Sequence, residues 1–260
     1  MGASIALIGF GALGGSAYQM LLAMGASVAG VLVPQDAQIS QGPRVVRSLA
    51  ALLELKPSVV IECAGQGALR DYGPQVLAEG VDLVPASVGV FADQDFLDVM
   101  LNAAKMGGSA IRVPSGAMVG IDGLSAARLV GVEKVTYRGT MAPQALKNFH
   151  ATGAIEGRVL AYEGTARDAV FKFPKNANLT ATIALASVGF DKTRVELYVD
   201  STVTSNIHEL EALGDFGSFH VKVSGRRISE ASPSSRIVAG SLVQAAVGSN
   251  FTRLSGASKV

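Results

Sequence analysis

A six-residue loop near the start of the chain restricts its fold more than any other feature. Ser4 to Ile8 is a short apolar run bounded by glycine, and Gly9-Phe10-Gly11-Ala12-Leu13-Gly14 follows it. From Leu13 to Met24 the residues read as a helix, with Leu13, Tyr18, Leu21 and Leu22 among its apolar positions and Gly25 just past the end. Strand, glycine-rich turn and helix in that order open a βαβ unit. Gly9 permits the tight turn, Gly11 lets the backbone approach a pyrophosphate without a Cβ in the way, and Gly14 allows close helix–strand packing. The first-turn amides, aided by the helix dipole, then face the phosphate charge. With 30 glycines in 260 residues the spacing alone arises by chance, so the flanking strand and helix carry the reading. The expectation is a bound nicotinamide dinucleotide, with Gly9, Gly11, Ala12, Leu13 and Gly14 as contacts.

One part of that fingerprint is missing. An acidic residue belongs about 20 residues on, at the end of the second strand, where it holds the ribose 2′-hydroxyl. Here the strand ends Val31-Leu32-Val33-Pro34-Gln35, and Asp36 comes a few positions late. No arginine stands there to take a 2′-phosphate unless Arg44 or Arg47 folds back. The residues leave NAD and NADP both open.

Short apolar runs and helical stretches keep alternating. Strands are expected at Ser27–Val33, Ser58–Cys63, Asp82–Pro85 and Ala110–Val113. Helices are expected at Leu49–Leu55, Asp71–Glu79 and Asp93–Lys105, the last ended by Gly107-Gly108. Such alternation needs crossovers, so this part is an α/β domain with a Rossmann-type parallel sheet. From Val132 the pattern changes to period-2 segments, Val132–Gly139, Arg194–Asp200 and Ser218–Val223, around one helix near Asn178–Ser187. That describes a second, α+β domain on an open, largely antiparallel sheet. The expected division is 1–113 for the dinucleotide domain and 114–234 for a catalytic and oligomerisation domain. A last helix, 235–247, packs back on the first domain, and a frayed tail follows.

Composition narrows the partners. Hydrophobic residues make up 49% and charged residues 17%, enough for a packed core. The 22 basic and 21 acidic residues show no long run of one sign, which argues against nucleic-acid or membrane-surface binding. No apolar run reaches the roughly 18 residues of a membrane span, and the apolar start lacks the basic flank of a signal peptide. The chain is expected to be cytoplasmic. Cys63, the single cysteine, sits in the apolar run Val59-Val60-Ile61-Glu62-Cys63 and reads as structural rather than nucleophilic. No metal site is expected.

Several further stretches carry a resemblance. They are Glu62-Cys63-Ala64-Gly65-Gln66-Gly67-Ala68, Ala86-Ser87-Val88-Gly89, Val113-Pro114-Ser115-Gly116-Ala117, Phe173-Pro174-Lys175-Asn176-Ala177-Asn178 and Asn206-Ile207-His208-Glu209-Leu210-Glu211. The last two are not general features of dinucleotide-binding folds. Through them the chain resembles the L-aspartate dehydrogenase family from residue 4 to about residue 247. The resemblance implies NAD- or NADP-dependent oxidation of L-aspartate to iminoaspartate, which hydrolyses to oxaloacetate and ammonia. In that family the imine also feeds NAD biosynthesis. It further implies a catalytic role for His208 and cofactor contacts at Ala117 and Asn178. Ala64 is added to the candidate cofactor contacts.

The residues themselves rank the three histidines. His220 shares a polar face with Lys222, opposite Phe219, Val221 and Val223, and reads as a surface residue. His150 lies in a polar connection. An extended chain places His208 with Leu210 and Ala212, opposite Glu209 and Glu211, so it is partly buried. Its ordinary pKa of about 6.5 suits proton transfer, and the expected role is activating the water that attacks the iminium carbon or accepting the amine proton. Lys175 and Asn176 are candidates for the substrate carboxylates, against a solvated loop as the plain alternative, and Asn176 or Asn178 also suits a helix cap. Ser87, Gly89 and Gln66 follow strands at their carboxyl ends, where doubly wound sheets bind ligands. A homoserine or dihydrodipicolinate type of dehydrogenase and a non-catalytic redox sensor are the competing readings. A homodimer is expected, because an open sheet offers an apolar face or edge to a second subunit.

Overall fold

The computed structural model describes residues 4–146, 157–174, 177–226, 228 and 235–248. Its first sheet has five strands: β1 (Ser4–Ile8), β2 (Ser27–Leu32), β3 (Val45–Val46), β4 (Val59–Glu62) and β5 (Asp82–Pro85). They run in the order β3-β2-β1-β4-β5, every pair parallel. Parallel strands need crossovers, supplied by α1 (Ala12–Ala23), α2 (Leu49–Leu53) and α3 (Gln66–Ala78). After β5 comes α4 (Gln94–Gly107), capped by the Asp93 carboxylate, which accepts from Phe96 N–H at 3.3 Å, and ended by Gly108 in the left-handed region.

The second sheet holds β6 (Val132–Met141), β7 (Arg158–Thr165), β8 (Arg194–Asp200), β9 (Ile207–Gly214) and β10 (Gly217–Ser224), in the order β10-β9-β6-β8-β7. Only the β6–β8 pair is parallel, so the sheet is mixed and mostly antiparallel. Helices α5 (Ile121–Val130), α6 (Ala166–Lys172) and α7 (Ala177–Ala186) cover one face of it. One apolar cluster runs from Ala6 and Val60 in the first sheet through Phe91 to Leu197 and Leu210 in the second. The final helix α8 (Arg236–Val247) lies on α1, β4 and β5, with Leu242, Val243 and Ala246 buried among Leu7, Leu21 and Val84. The Arg112 guanidinium donates to the carbonyls of Ala245 and Ala246 at 3.2 and 3.0 Å and pairs with Asp82, satisfying carbonyls that a helix end leaves open.

Several elements depart from the sequence expectations. The expected strand Ala110–Val113 is a single parallel bridge between Ile111 and Leu83, because Pro114 follows and the Arg112 side chain is drawn to α8. Helix α3 begins five residues earlier than Asp71 and runs through Pro74. Burying Leu69, Val76 and Leu77 outweighs the N–H that proline withholds from the helix ladder. The strands β3 and β7 and the helices α5 and α6 were not expected. The open face of the second sheet is also not apolar. Alternation puts Arg138, Glu196, Glu209 and Glu211 there, joined in ion pairs such as Arg138–Glu211 at 2.7 Å and Arg138–Glu196 at 3.0 Å. Among the described residues no helix is long and apolar enough to cross a membrane.

The β1–α1 packing gives a test. A Cβ added at Gly14 would lie 2.4 Å from the Gly9 carbonyl oxygen, a contact that only a backbone shift relieves. Gly14→Ala is therefore expected to lower stability by about 1–3 kcal/mol, the usual cost of forcing extra volume into a packed site. Urea unfolding measures this, and an unchanged midpoint would contradict the packing described.

Candidate active site

The site begins at the β1–α1 turn. Gly9 takes φ +92°, a left-handed conformation, and its N–H donates to Leu32 O at 2.8 Å, which ties the turn to the end of β2. A Cβ there would sit 2.9 Å from Ala64, so the glycine loop and the β4–α3 turn touch. Above Gly11 there is open space, with nothing within 4 Å of where a Cβ would point. Helix α1 starts with no side-chain cap and no acidic residue in its first turn. Among the described residues its first amides meet no side-chain cap and suit an anion, so these residues fit a dinucleotide pyrophosphate.

The neighbouring turns are held by a carboxylate with no exposure to water. Glu62 closes β4, and its Oε1 accepts from the N–H groups of Ala64 and Gly65, each at 2.7 Å. The same oxygen accepts from Ser87 Oγ at 3.0 Å, and Oε2 accepts from Ser87 N–H at 3.0 Å. Burial pushes this carboxyl upward in pKa against four hydrogen bonds that pull it down. The result is a brace between the turn after β4 and the turn after β5, at the carboxyl ends of the strands.

A few residues beyond Ser87, Gly89 N–H donates to Asn178 Oδ1 at 3.0 Å, linking the first sheet to the start of α7. Gly89 has no room for a side chain, since a Cβ would meet Ala177, Asn178 and Gln66 at about 3 Å. Ala117 lies buried on the loop between Arg112 and α5, whose Gly116 N–H donates to Ser241 Oγ of α8 at 3.1 Å. The same loop meets Leu179 of α7 near Gly116 and Val221 of β10 near Gly120.

Val221 is two residues from Val223, which pairs with His208 across β9 and β10. His208 is 8% exposed, on the covered face with Leu210 and Ala212, while Glu211 faces out. Its Nδ1 lies 2.9 Å from the Tyr137 hydroxyl, and the two rings stack at 24°. Burial pushes the imidazole down to about 4, so it is neutral at pH 7.

Close approaches and hydrogen bonds thus tie the glycine loop to the turn at Ala64, Gly89 to Asn178 of α7, and the loop carrying Ala117 to Ser241 of α8. At its other end, near Gly120, the Ala117 loop approaches Val221 of β10, two residues from the partner of His208. Lys175, Asn176 and His150 lie outside the described residues. His220 is exposed, beside half-buried Phe219 and Val221. Burial and the adjoining Glu62 raise the Cys63 thiol, which leaves it a poor nucleophile. Among the described residues no group of three or more His, Cys, Asp or Glu side chains is placed to hold a metal. Arg47 does fold back, donating to the carbonyls of Pro34 and of Ala37 just beyond β2. Glu62 and Tyr137 were not singled out from the sequence. A lone charge in an apolar parallel strand could have exposed Glu62, whereas nothing local marks Tyr137.

The neutral state of His208 is testable through stability. An unfolded histidine titrates near 6.5 and this one near 4, so between those values the unfolded chain holds more protons. The stability gained by keeping the ring neutral is complete above pH 6.5 and is lost as pH falls towards 4, up to about 3 kcal/mol. Urea unfolding of the parent and of His208→Gln at pH 7.5 and 4.5 should show the smaller acid loss in the variant. Equal losses would contradict the burial of a neutral ring.

Comparison with known proteins agrees with this arrangement. The family model "Aspartate dehydrogenase, C-terminal" matches residues 122–249, and "Homoserine dehydrogenase, NAD binding domain" matches residues 9–114. L-aspartate dehydrogenase 1 of Bordetella parapertussis is 62% identical over 208 residues, 80% of each chain. L-aspartate dehydrogenase of Acinetobacter baylyi is 36% identical over 249 residues, covering 92% of this chain and 94% of that one. The crystal structure of aspartate dehydrogenase from Thermotoga maritima superposes with TM-score 0.77 at 23% identity, covering 98% of this chain and all of that one. An archaeal homoserine dehydrogenase in complex with NADPH shares the fold at TM-score 0.61 and 12% identity, covering 97% of this chain and 100% of that one. With a Rossmann-type sheet, a mixed second sheet and relatives this similar over most of its length, the chain belongs to the L-aspartate dehydrogenase family of oxidoreductases.

Proposed function

We propose that the chain oxidises L-aspartate with NAD or NADP to iminoaspartate, which water converts to oxaloacetate and ammonia, and that it runs the reverse reaction when those are supplied. The observation that carries this reading is a pair of features, one in each domain. A helix start without a side-chain cap lies beside open space at Gly11 in the first domain, and the second sheet holds a buried, neutral histidine. The bound nicotinamide supplies the two-electron acceptor for the hydrogen leaving Cα of aspartate. The chain's residues do the rest. Gly9, Gly11, Ala12, Leu13 and Gly14 hold the pyrophosphate, Ala64, Ala117 and Asn178 border the cofactor, and Lys175 and Asn176 remain candidates for the substrate carboxylates.

His208 serves the proton step at the reacting centre. A neutral imidazole does this in either of two ways, by accepting at its bare nitrogen or by donating from its protonated one. Arg47 supports the use of NADP as well as NAD, because it brings a cation to the end of β2 where an acidic selector for NAD is missing. The proposed domains are 1–113 with 235–247, and 114–234.

The proposal extends to a cytoplasmic homodimer whose imine product feeds NAD biosynthesis. Of the two grounds expected for the dimer, the apolar face is absent among the described residues, and the edge strands β10 and β7 of the second sheet support it, since an open edge offers pairing to a second copy. A monomeric mass by light scattering would refute that part.

Initial rates with aspartate, homoserine and glutamate, each with NAD and NADP, test the activity. Aspartate should be turned over at the highest kcat/KM. His208→Ala should lose about 10²-fold or more in kcat/KM, the usual scale for a proton-handling group, while still binding cofactor. No oxidation of aspartate with either cofactor, or a variant within a few-fold of the parent, would overturn the proposal.

A further inference from the structure

Two buried polar groups meet inside the second sheet, and their partner counts fix where the protons sit. The Tyr137 side chain is 2% exposed and His208 is 8% exposed, so water is not available to the Tyr137 hydroxyl. Among the described residues that hydroxyl has one polar neighbour, His208 Nδ1 at 2.9 Å. If Nδ1 carried the proton and donated, the phenol hydrogen would have nowhere to go, and a buried unsatisfied donor is expensive. If the phenol donates, both atoms are satisfied. The phenol cannot do so as an anion, and burial raises its pKa, which keeps its proton in place.

The backbone is arranged for this contact. Gly139 stands opposite His208 in the β6–β9 register, two residues from Tyr137 and on the same face. A Cβ at Gly139 would lie 2.8 Å from the Tyr137 hydroxyl, so only glycine lets the phenol cross to the imidazole. Phenol, glycine and imidazole thus form one unit across two neighbouring strands.

We propose that Tyr137 is the positioning residue of His208: its hydroxyl donates to Nδ1, fixes the imidazole as the Nε2–H tautomer and presents that N–H to the substrate as a donor. This rests on the reading that His208 faces the substrate. Among the described residues Nε2 has no protein partner, as a donor kept for a ligand requires. Its acceptor in that reading is an oxygen of the substrate, of which a dicarboxylic amino acid offers four. With Nδ1 already accepting and Nε2 protonated, His208 does not take the amine proton, which passes to solvent. Of the two roles open to a neutral imidazole, the geometry selects donation.

The tautomer is measurable without turnover. In protein labelled with ¹⁵N-histidine, a long-range ¹H–¹⁵N spectrum separates the two neutral tautomers, and His208→Ala identifies the resonances. At pH 7.5 the parent should show Nδ1 bare and Nε2 protonated. Tyr137→Phe removes the hydrogen bond to Nδ1, so its ¹⁵N resonance should move towards that of an acceptor without a donor, and kcat/KM for aspartate should fall about tenfold as the ring loses its anchor. A parent ring protonated at Nδ1, or a Tyr137→Phe ring whose Nδ1 resonance is unmoved, would overturn the proposal. Gly139→Ala supplies a second arm, since it displaces the phenol without deleting it and should move the Nδ1 resonance in the same direction. If the spectra come out as expected while the parent fails to oxidise aspartate, the tautomer assignment stands and the functional reading falls.

Discussion

Glu62 is a carboxyl group sealed inside the first sheet, and among the described residues no cation pairs with it. It is held by four donors, three of them backbone N–H groups, drawn from two separate turns. Because a buried charge is costly unless fully hydrogen-bonded, each of those donors is tightly constrained. The turn after β4 is thereby fixed against the glycine loop, where Gly9 and Ala64 touch. The turn after β5 is fixed in line with Gly89 and, through it, with Asn178. The two turns at the carboxyl ends of β4 and β5, where the proposed cofactor site lies, depend on this brace.

The second sheet answers with the opposite chemistry. The residue proposed to act there is an imidazole kept uncharged by burial, in contact with a neutral phenol. The charged residues of the same strands face away, where Arg138, Glu196 and Glu211 pair with one another. Exposed pairs of this kind contribute only about 0–1 kcal/mol each, so the sheet is held by its covered apolar face and not by them. Separation of charge from the covered face lets His208 stay neutral while Arg138, only one residue from Tyr137, remains ionised.

Much of this was legible in the residues. The β1 run, the glycine turn and α1 follow from apolar spacing and from backbone freedom, because a parallel strand buried on both faces leaves a continuous apolar signal. The side of β9 on which His208 lies follows from simple alternation with Glu209 and Glu211. Other parts gave no local signal. In β7, Arg-Val-Leu-Ala-Tyr-Glu-Gly-Thr does not alternate cleanly, and β3 is two residues long, so both exist through pairing with a neighbour. The Tyr137–His208 contact spans 71 positions and needs a glycine opposite the histidine, a relation only the register reveals. Glu62 was visible as a lone charge, but its four donors come from turns whose proximity is a property of the fold.

The most direct test of this account is cofactor binding by Glu62→Gln, followed by the fluorescence of NADH and NADPH. The replacement keeps one oxygen for Ala64 and Gly65 but sets an amide N–H against the N–H of Ser87. That costs about 1–3 kcal/mol, the usual penalty for an unsatisfied buried group. The account predicts a folded variant, less stable by that amount, whose dissociation constant for either cofactor rises about tenfold or more. A variant that loses the stability yet binds both cofactors like the parent would contradict the claim that this buried carboxylate builds the proposed cofactor site.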